Sequence, residues 1–112
     1  MKNKISTSIE QSKKLLELGI DRNTADMCWQ NNEFPIGFND DDAVPAWSLN
    51  PLLNIIKNRK DCNKVELLSN YSSKWALTTT YYDSIWKEKE IIAEDPIDAA
   101  FEMVVWLKEN VK

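Results

Sequence analysis

The stretch Asp95-Pro96-Ile97-Asp98-Ala99-Ala100-Phe101-Glu102-Met103-Val104-Val105-Trp106-Leu107-Lys108-Glu109-Asn110-Val111 decides how the rest of the chain must be arranged. It opens as a helix does. The Asp95 carboxylate can cap free N–H groups, and Pro96 suits the first helical position, where an N–H would have no partner anyway. Asp98 and Glu102 stand early and Lys108 and Lys112 late, the order the helix dipole favours. At helical spacing Ile97, Ala100, Val104, Leu107 and Val111 share one face, with Asp98, Glu102 and Glu109 opposite. Phe101 and Val105 widen the apolar face on one side; Ala99, Met103 and Trp106 widen it on the other. So broad a stripe needs cover from more than one direction, such as a sheet beneath and a helix or second subunit beside it. Phe101, Val105 and Trp106 are the candidate partner-binding residues on its shoulders.

Two further helices are predicted upstream. Thr7-Ser8-Ile9-Glu10 reads as a capping box, followed by Ile9, Leu15, Leu16 and Leu18 as the apolar side. Gly19 ends that helix, and Ile20 can fold back on Leu15 in a Schellman stop. Asp21 to Asn23 is turn chemistry, and Thr24-Ala25-Asp26-Met27 reads as a single helical turn. In the next helix Leu49, Leu52, Leu53 and Ile56 fall at i, i+3, i+4 and i+7. Ser48 or Asn50 caps it, with Asn50 favoured because a residue before proline avoids the helical region.

Between the second helix and the last lies a hairpin. Val65, Leu67 and Ser69 alternate with Glu66, Leu68 and Asn70; after a Ser/Asn-rich turn Trp75, Leu77, Thr79 and Tyr81 alternate with Ala76, Thr78, Thr80 and Tyr82. Two strands alone are marginal, so a third is expected, from either Ile91-Ile92-Ala93 or the Phe34 segment. Pro35 would hold a strand over Glu33–Phe38 at a sheet edge. Lys87-Glu88-Lys89-Glu90 suits a solvated strand, a loop or a helical turn. The expected fold is a single α+β domain over residues 1–112, with three helices on one small antiparallel sheet, in the order α-α-β-β-α.

Composition limits the chemistry. The chain has 112 residues, 43% hydrophobic and 29% charged, as an ordinary globular domain does. No apolar run reaches the roughly 18 residues of a membrane span. The start, Met1-Lys2-Asn3-Lys4-Ile5, turns polar at Ser6 without an apolar h-region, so a cytoplasmic protein is expected. A net charge of −4 with only short basic clusters, Lys13-Lys14 and Lys57-Asn58-Arg59-Lys60, argues against nucleic acid as a partner. There is no histidine, which removes the commonest general base near neutral pH and the commonest zinc ligand. Cys28 and Cys62 lack CxxC spacing and read as small hydrophobes rather than nucleophiles or metal ligands. No cofactor motif is present, since Gly19 and Gly37 are the only glycines and form no phosphate loop.

Three clusters stand out as candidate sites. Asp40-Asp41-Asp42 is consecutive where a calcium loop alternates, and reads as a solvated loop. Ser72-Ser73-Lys74 falls in the hairpin turn, where serine is ordinary. The five tryptophans are the unusual feature. Trp75 and Trp106 are assigned to the core or its edge. Trp29, Trp47 and Trp86 lie in or beside loops, where they either lid the core or stack on a partner or sugar. A small ligand pocket walled by Trp29 and Trp47, with the loop acids Asp40 and Asp42, is the alternative site.

Several strings occur in a recognisable order: Gln11-Ser12-Lys13-Lys14-Leu15-Leu16-Glu17-Leu18-Gly19-Ile20-Asp21, Thr24-Ala25-Asp26-Met27, Pro45-Ala46-Trp47-Ser48-Leu49, and Asp95-Pro96-Ile97-Asp98-Ala99-Ala100 with Trp106-Leu107-Lys108-Glu109-Asn110. In these the chain resembles a family of short, uncharacterised proteins of gut bacteria and their prophages. The resemblance covers both ends well and the hairpin poorly. It brings no activity and no catalytic residues, and implies an accessory protein of a phage or mobile element. With the composition, it leads to an expected function: non-enzymatic protein–protein interaction, with a homodimer as one form. A small-ligand-binding or hydrolytic domain is the alternative.

Overall fold

The computed structural model describes residues 4–30, 34–37, 42–69 and 73–111. It is an α+β fold with three helices and two antiparallel three-stranded sheets. The helices are α1 (Ile9–Glu17), α2 (Leu49–Lys57) and α3 (Pro96–Asn110). The small sheet has the order β2-β1-β3, from β1 (Met27–Gln30), β2 (Phe34–Ile36) and β3 (Pro45–Ala46). The larger sheet is the meander β4-β5-β6, from β4 (Cys62–Ser69), β5 (Trp75–Asp83) and β6 (Ile85–Ala93).

The expected single sheet is therefore two. The Phe34 segment pairs with β1, Cys28 standing opposite Ile36, and Pro35 does sit on an edge strand. The third strand of the hairpin sheet is the whole of Ile85–Ala93, so the Lys-Glu-Lys-Glu run is strand and not loop or helix. Its cross-strand partners are on β5, from Trp75 opposite Ala93 to Asp83 opposite Ile85. The chain reverses at Ser84, which takes a φ of 67°.

α3 is organised as its sequence implies. Asp95 Oδ1 accepts from the Ile97 N–H at 2.8 Å, and Pro96 follows at the first helical position. The second carboxylate oxygen of Asp95 accepts from the Lys4 N–H at 2.8 Å, which ties the N-terminal segment to the helix start. Ile97, Ala99, Ala100, Met103, Val104, Leu107 and Val111 are all buried. They meet α2 on one flank and the inward side chains of β5 and β6 on the other. β5 supplies Leu77, Thr79 and Tyr81 to that face, while Thr78, Thr80 and Tyr82 point to the open one. The buried hydrophobics form a cluster that also takes in Leu15, Trp47, Leu52 and Ile56.

α1 begins one residue later than its best sequence signal. The cap is Ser8, whose hydroxyl accepts from the Gln11 N–H at 3.1 Å while the Gln11 side chain accepts from the Ser8 N–H at 2.9 Å. Thr7, the expected cap, is fully buried and its hydroxyl is engaged elsewhere: it accepts from the Trp47 N–H at 3.1 Å and lies 2.8 Å from the Ser12 hydroxyl. The stop is a complete Schellman motif: Ile20 N–H to Leu15 carbonyl and Gly19 N–H to Leu16 carbonyl, both 3.0 Å, with Gly19 at φ 87°. Arg22–Thr24 forms a short 3-10 turn, and Met27 belongs to β1 rather than to a helical turn. The cap of α2 is Ser48, not Asn50. Ser48 gives its N–H to Asp26 at 2.9 Å and its hydroxyl also contacts Asp26. Asn50 and Pro51 fall in the first turn of α2, where a missing N–H costs nothing.

A clamp closes the far end of α2. Arg59 makes a bidentate pair with Asp61, Nε to Oδ1 at 2.8 Å and a terminal nitrogen to Oδ2 at 2.7 Å, and also donates to the Val111 carbonyl at 2.9 Å. The guanidinium holds the Asp61 carboxyl below its usual range, and Asp61 raises Arg59 in return. A lowered carboxyl pKa adds stability above the unfolded value that is lost as pH falls through the folded one. Arg59 stays charged throughout, so Asp61 sets the window, on the acid side of the ordinary carboxylate range. Asp61→Asn is expected to cost on the order of 1 kcal/mol at neutral pH, discounted because the pair is partly exposed. Urea unfolding at pH 7 and pH 3 should show that penalty shrinking in acid; an equal penalty at both would show that the pair does not act this way.

Candidate functional site

The shoulder residues of α3 remain partly open after the fold is complete. Phe101, Val105 and Trp106 are each half-buried, and with Lys89 and Ile91 of β6 they line a groove of about 450 Å³. Glu102 and Glu109 complete its lining from the polar side of α3. The sequence places Trp106 on the opposite shoulder from Phe101 and Val105. The groove unites the three because it wraps the outer side of the helix, from the sheet beneath Trp106 around to Phe101.

Trp106 is fixed from two sides. Its ring meets Tyr81 edge-on, centroids 5.3 Å apart, and the Lys89 ammonium lies 4.9 Å from its centroid. The cation–π contact uses the lysine charge and leaves its aliphatic stem along the groove wall. Lys87, also on the helix face of β6, pairs with Asp83 at 3.5 Å. Both inward cations of this strand therefore have partners within the chain. Glu88 and Glu90 point to the open face, opposite Thr80 and Thr78, and among the described residues no cation pairs with either.

β6 is also an edge. It pairs with β5 on one side, and among the described residues no strand pairs with it on the other. The groove thus runs beside backbone donors and acceptors that an incoming strand could use. The open face of the sheet carries a cross-strand row of Leu68, Ala76 and Ile92, and nearer the β5–β6 turn an edge-on pair of Tyr82 and Trp86, centroids 5.3 Å apart. Trp86 is 55% exposed.

The alternative pocket does not assemble around its tryptophans. Trp47 is fully buried, its indole donating to Thr24 Oγ1 at 2.9 Å, so it belongs to the core. Trp29 is half-buried, and its indole donates to the Thr7 carbonyl at 3.1 Å. It lines a small depression of about 170 Å³ with Lys4, Ile5, Ser6, Ser8 and Pro35. Asp42 is exposed, and Asp40 lies outside the described residues, as does Ser72. Among the described residues no group of three or more potential metal ligands gathers, and no helix is long and apolar enough to cross a membrane. Cys28 is fully buried; burial pushes the Cys62 thiol up, away from the reactive thiolate.

The sequence finds the three α3 residues but misses Lys89 and Ile91. The available signal is the alternation in Ile85-Trp86-Lys87-Glu88-Lys89-Glu90-Ile91, which sorts lysine to one face and glutamate to the other once the run is a strand. No family model, curated protein or solved structure matches the chain.

Proposed function

We propose that this is a non-enzymatic interaction protein whose binding surface is the groove between α3 and the edge strand β6. The observation that carries this reading is the juxtaposition of a half-buried apolar shoulder, Phe101, Val105 and Trp106, with a strand edge that no other strand among the described residues pairs with. Aromatic residues beside a free edge suit recognition of an extended segment, in which backbone bonds supply affinity and side-chain pockets supply specificity. The absence of histidine from the sequence fits a binding role better than an acid–base one. The resemblance noted above favours an accessory protein of a phage or mobile element, acting on a partner protein in the cytoplasm. Self-association into a homodimer is the other form this reading takes.

Affinity capture from the native cell lysate, with the full chain as bait, tests the reading. A specific protein should be retained by the wild type and reduced at least about ten-fold by Val105→Lys. The variant should unfold cooperatively within about 1 kcal/mol of wild type, because a lysine stem can lie along the groove and carry its charge to water. Identical capture by both proteins, or no specific capture, would count against the groove.

A further inference from the structure

Resting on the groove reading, we infer that the β6 edge takes an extended segment of another protein, apolar on its helix-facing side and basic on its open-face side. The helix-facing side of such a segment would lie against Ile91 and beside Phe101, Val105 and Trp106. Charge adds little there, because Lys87 and Lys89 are already engaged by Asp83 and Trp106, Glu109 is paired with Lys14, and Glu102 adds a single charge of opposite sign. The open side differs. Glu88 and Glu90 stand two residues apart on one face, both exposed, without an ion-pair partner among the described residues. A strand laid beside them places its own residues directly opposite, where an opposite charge stabilises and a like charge repels.

The same sorting makes a second copy of β6 a poor occupant. A two-fold axis normal to a joined sheet keeps each face on its own side, so opposed residues share a face. Centring that axis on residue 87 or 89 sets lysine against lysine, and centring it on 88 or 90 sets glutamate against glutamate. With the axis on 88, Lys87 and Lys89 also oppose each other; with it on 89, Glu88 and Glu90 do. Charged residues on an edge strand thus disfavour self-pairing in the registers centred on 87 to 90, while leaving the edge open to a strand with lysine or arginine on the outer face.

The test uses two labelled peptides as long as β6, one alternating lysine with valine or isoleucine, the other alternating glutamate with the same apolar residues. Fluorescence anisotropy with the full chain should show the lysine peptide binding at least about ten-fold more tightly. Glu88→Lys/Glu90→Lys should invert that preference. Glu10→Lys/Glu17→Lys, an equal change of net charge on the exposed side of α1, should leave it in place, which separates the site from bulk attraction. A preference that survives the β6 exchange, or that the α1 exchange removes as well, would overturn the proposal. So would failure of both peptides to bind. Equal binding of both, abolished by Val105→Lys, would overturn the charge-sorted edge yet keep the groove, and lysate capture tests the groove independently.

Discussion

Replacing Trp47 with alanine is expected to cost about 3–5 kcal/mol, the range for removing a large aromatic side chain from a core. That is a large part of the roughly 5–15 kcal/mol that holds an ordinary domain together. Trp47 is the largest fully buried side chain and lies where β3 passes into α2. Truncation removes its packing and leaves a cavity that neighbours on several elements cannot all move to fill. It also removes the indole donor of the Thr24 hydroxyl, which keeps its own bond to the Asp21 carbonyl. Urea denaturation should show a midpoint far below wild type or a chain already partly unfolded; a loss under about 1 kcal/mol would mean that Trp47 is not buried as described. Such a result would also restore Trp47 as a pocket wall.

Thr7→Val is expected to cost about 2–3 kcal/mol, although it keeps the shape of the side chain. The substitution deletes a hydroxyl that accepts from the Trp47 N–H and bonds Ser12, both within the core. A buried donor left without a partner bears its full desolvation cost. The Thr7 backbone is unaffected: its N–H still donates to the Trp47 carbonyl at 2.9 Å, and its carbonyl still accepts from the Trp29 indole. The loss should therefore fall on the hydroxyl alone. Ser12→Ala in the Thr7→Val background should add little, because the two hydroxyls satisfy one another. Fully additive losses would show that they act separately.

These residues also explain which parts of the fold were legible in the sequence. α3 was readable to within a residue, because Asp95-Pro96 marks its start and the stripe from Ile97 to Val111 repeats without a break. The Schellman stop was readable because Gly19 and Ile20 stand at the spacing it requires. The start of α1 was not, since Thr7 and Ser8 each have a suitable partner three residues on, Glu10 and Gln11. What decides between them is the claim of Trp47 and Ser12 on Thr7, a contact that spans 40 positions. Ser48 similarly prevails over Asn50 through Asp26, 22 positions away. Strands of four, three and two residues in the small sheet are too short to print a period, and two of them contain proline. The half-buried shoulder of α3 was visible as surplus apolar surface. Its completion by β6 was not, because an alternating Lys/Glu run carries no apolar period to separate strand from helix or loop.

The most direct test of β6 as an open edge is amide hydrogen exchange along Ile85–Ala93 in the free protein. Alternate amides point toward β5 and away from it in an antiparallel edge strand, so protection should alternate, with every second amide exchanging fast. Uniform slow exchange along the whole strand would contradict an open edge awaiting another protein's segment, because the edge would then already be paired in solution.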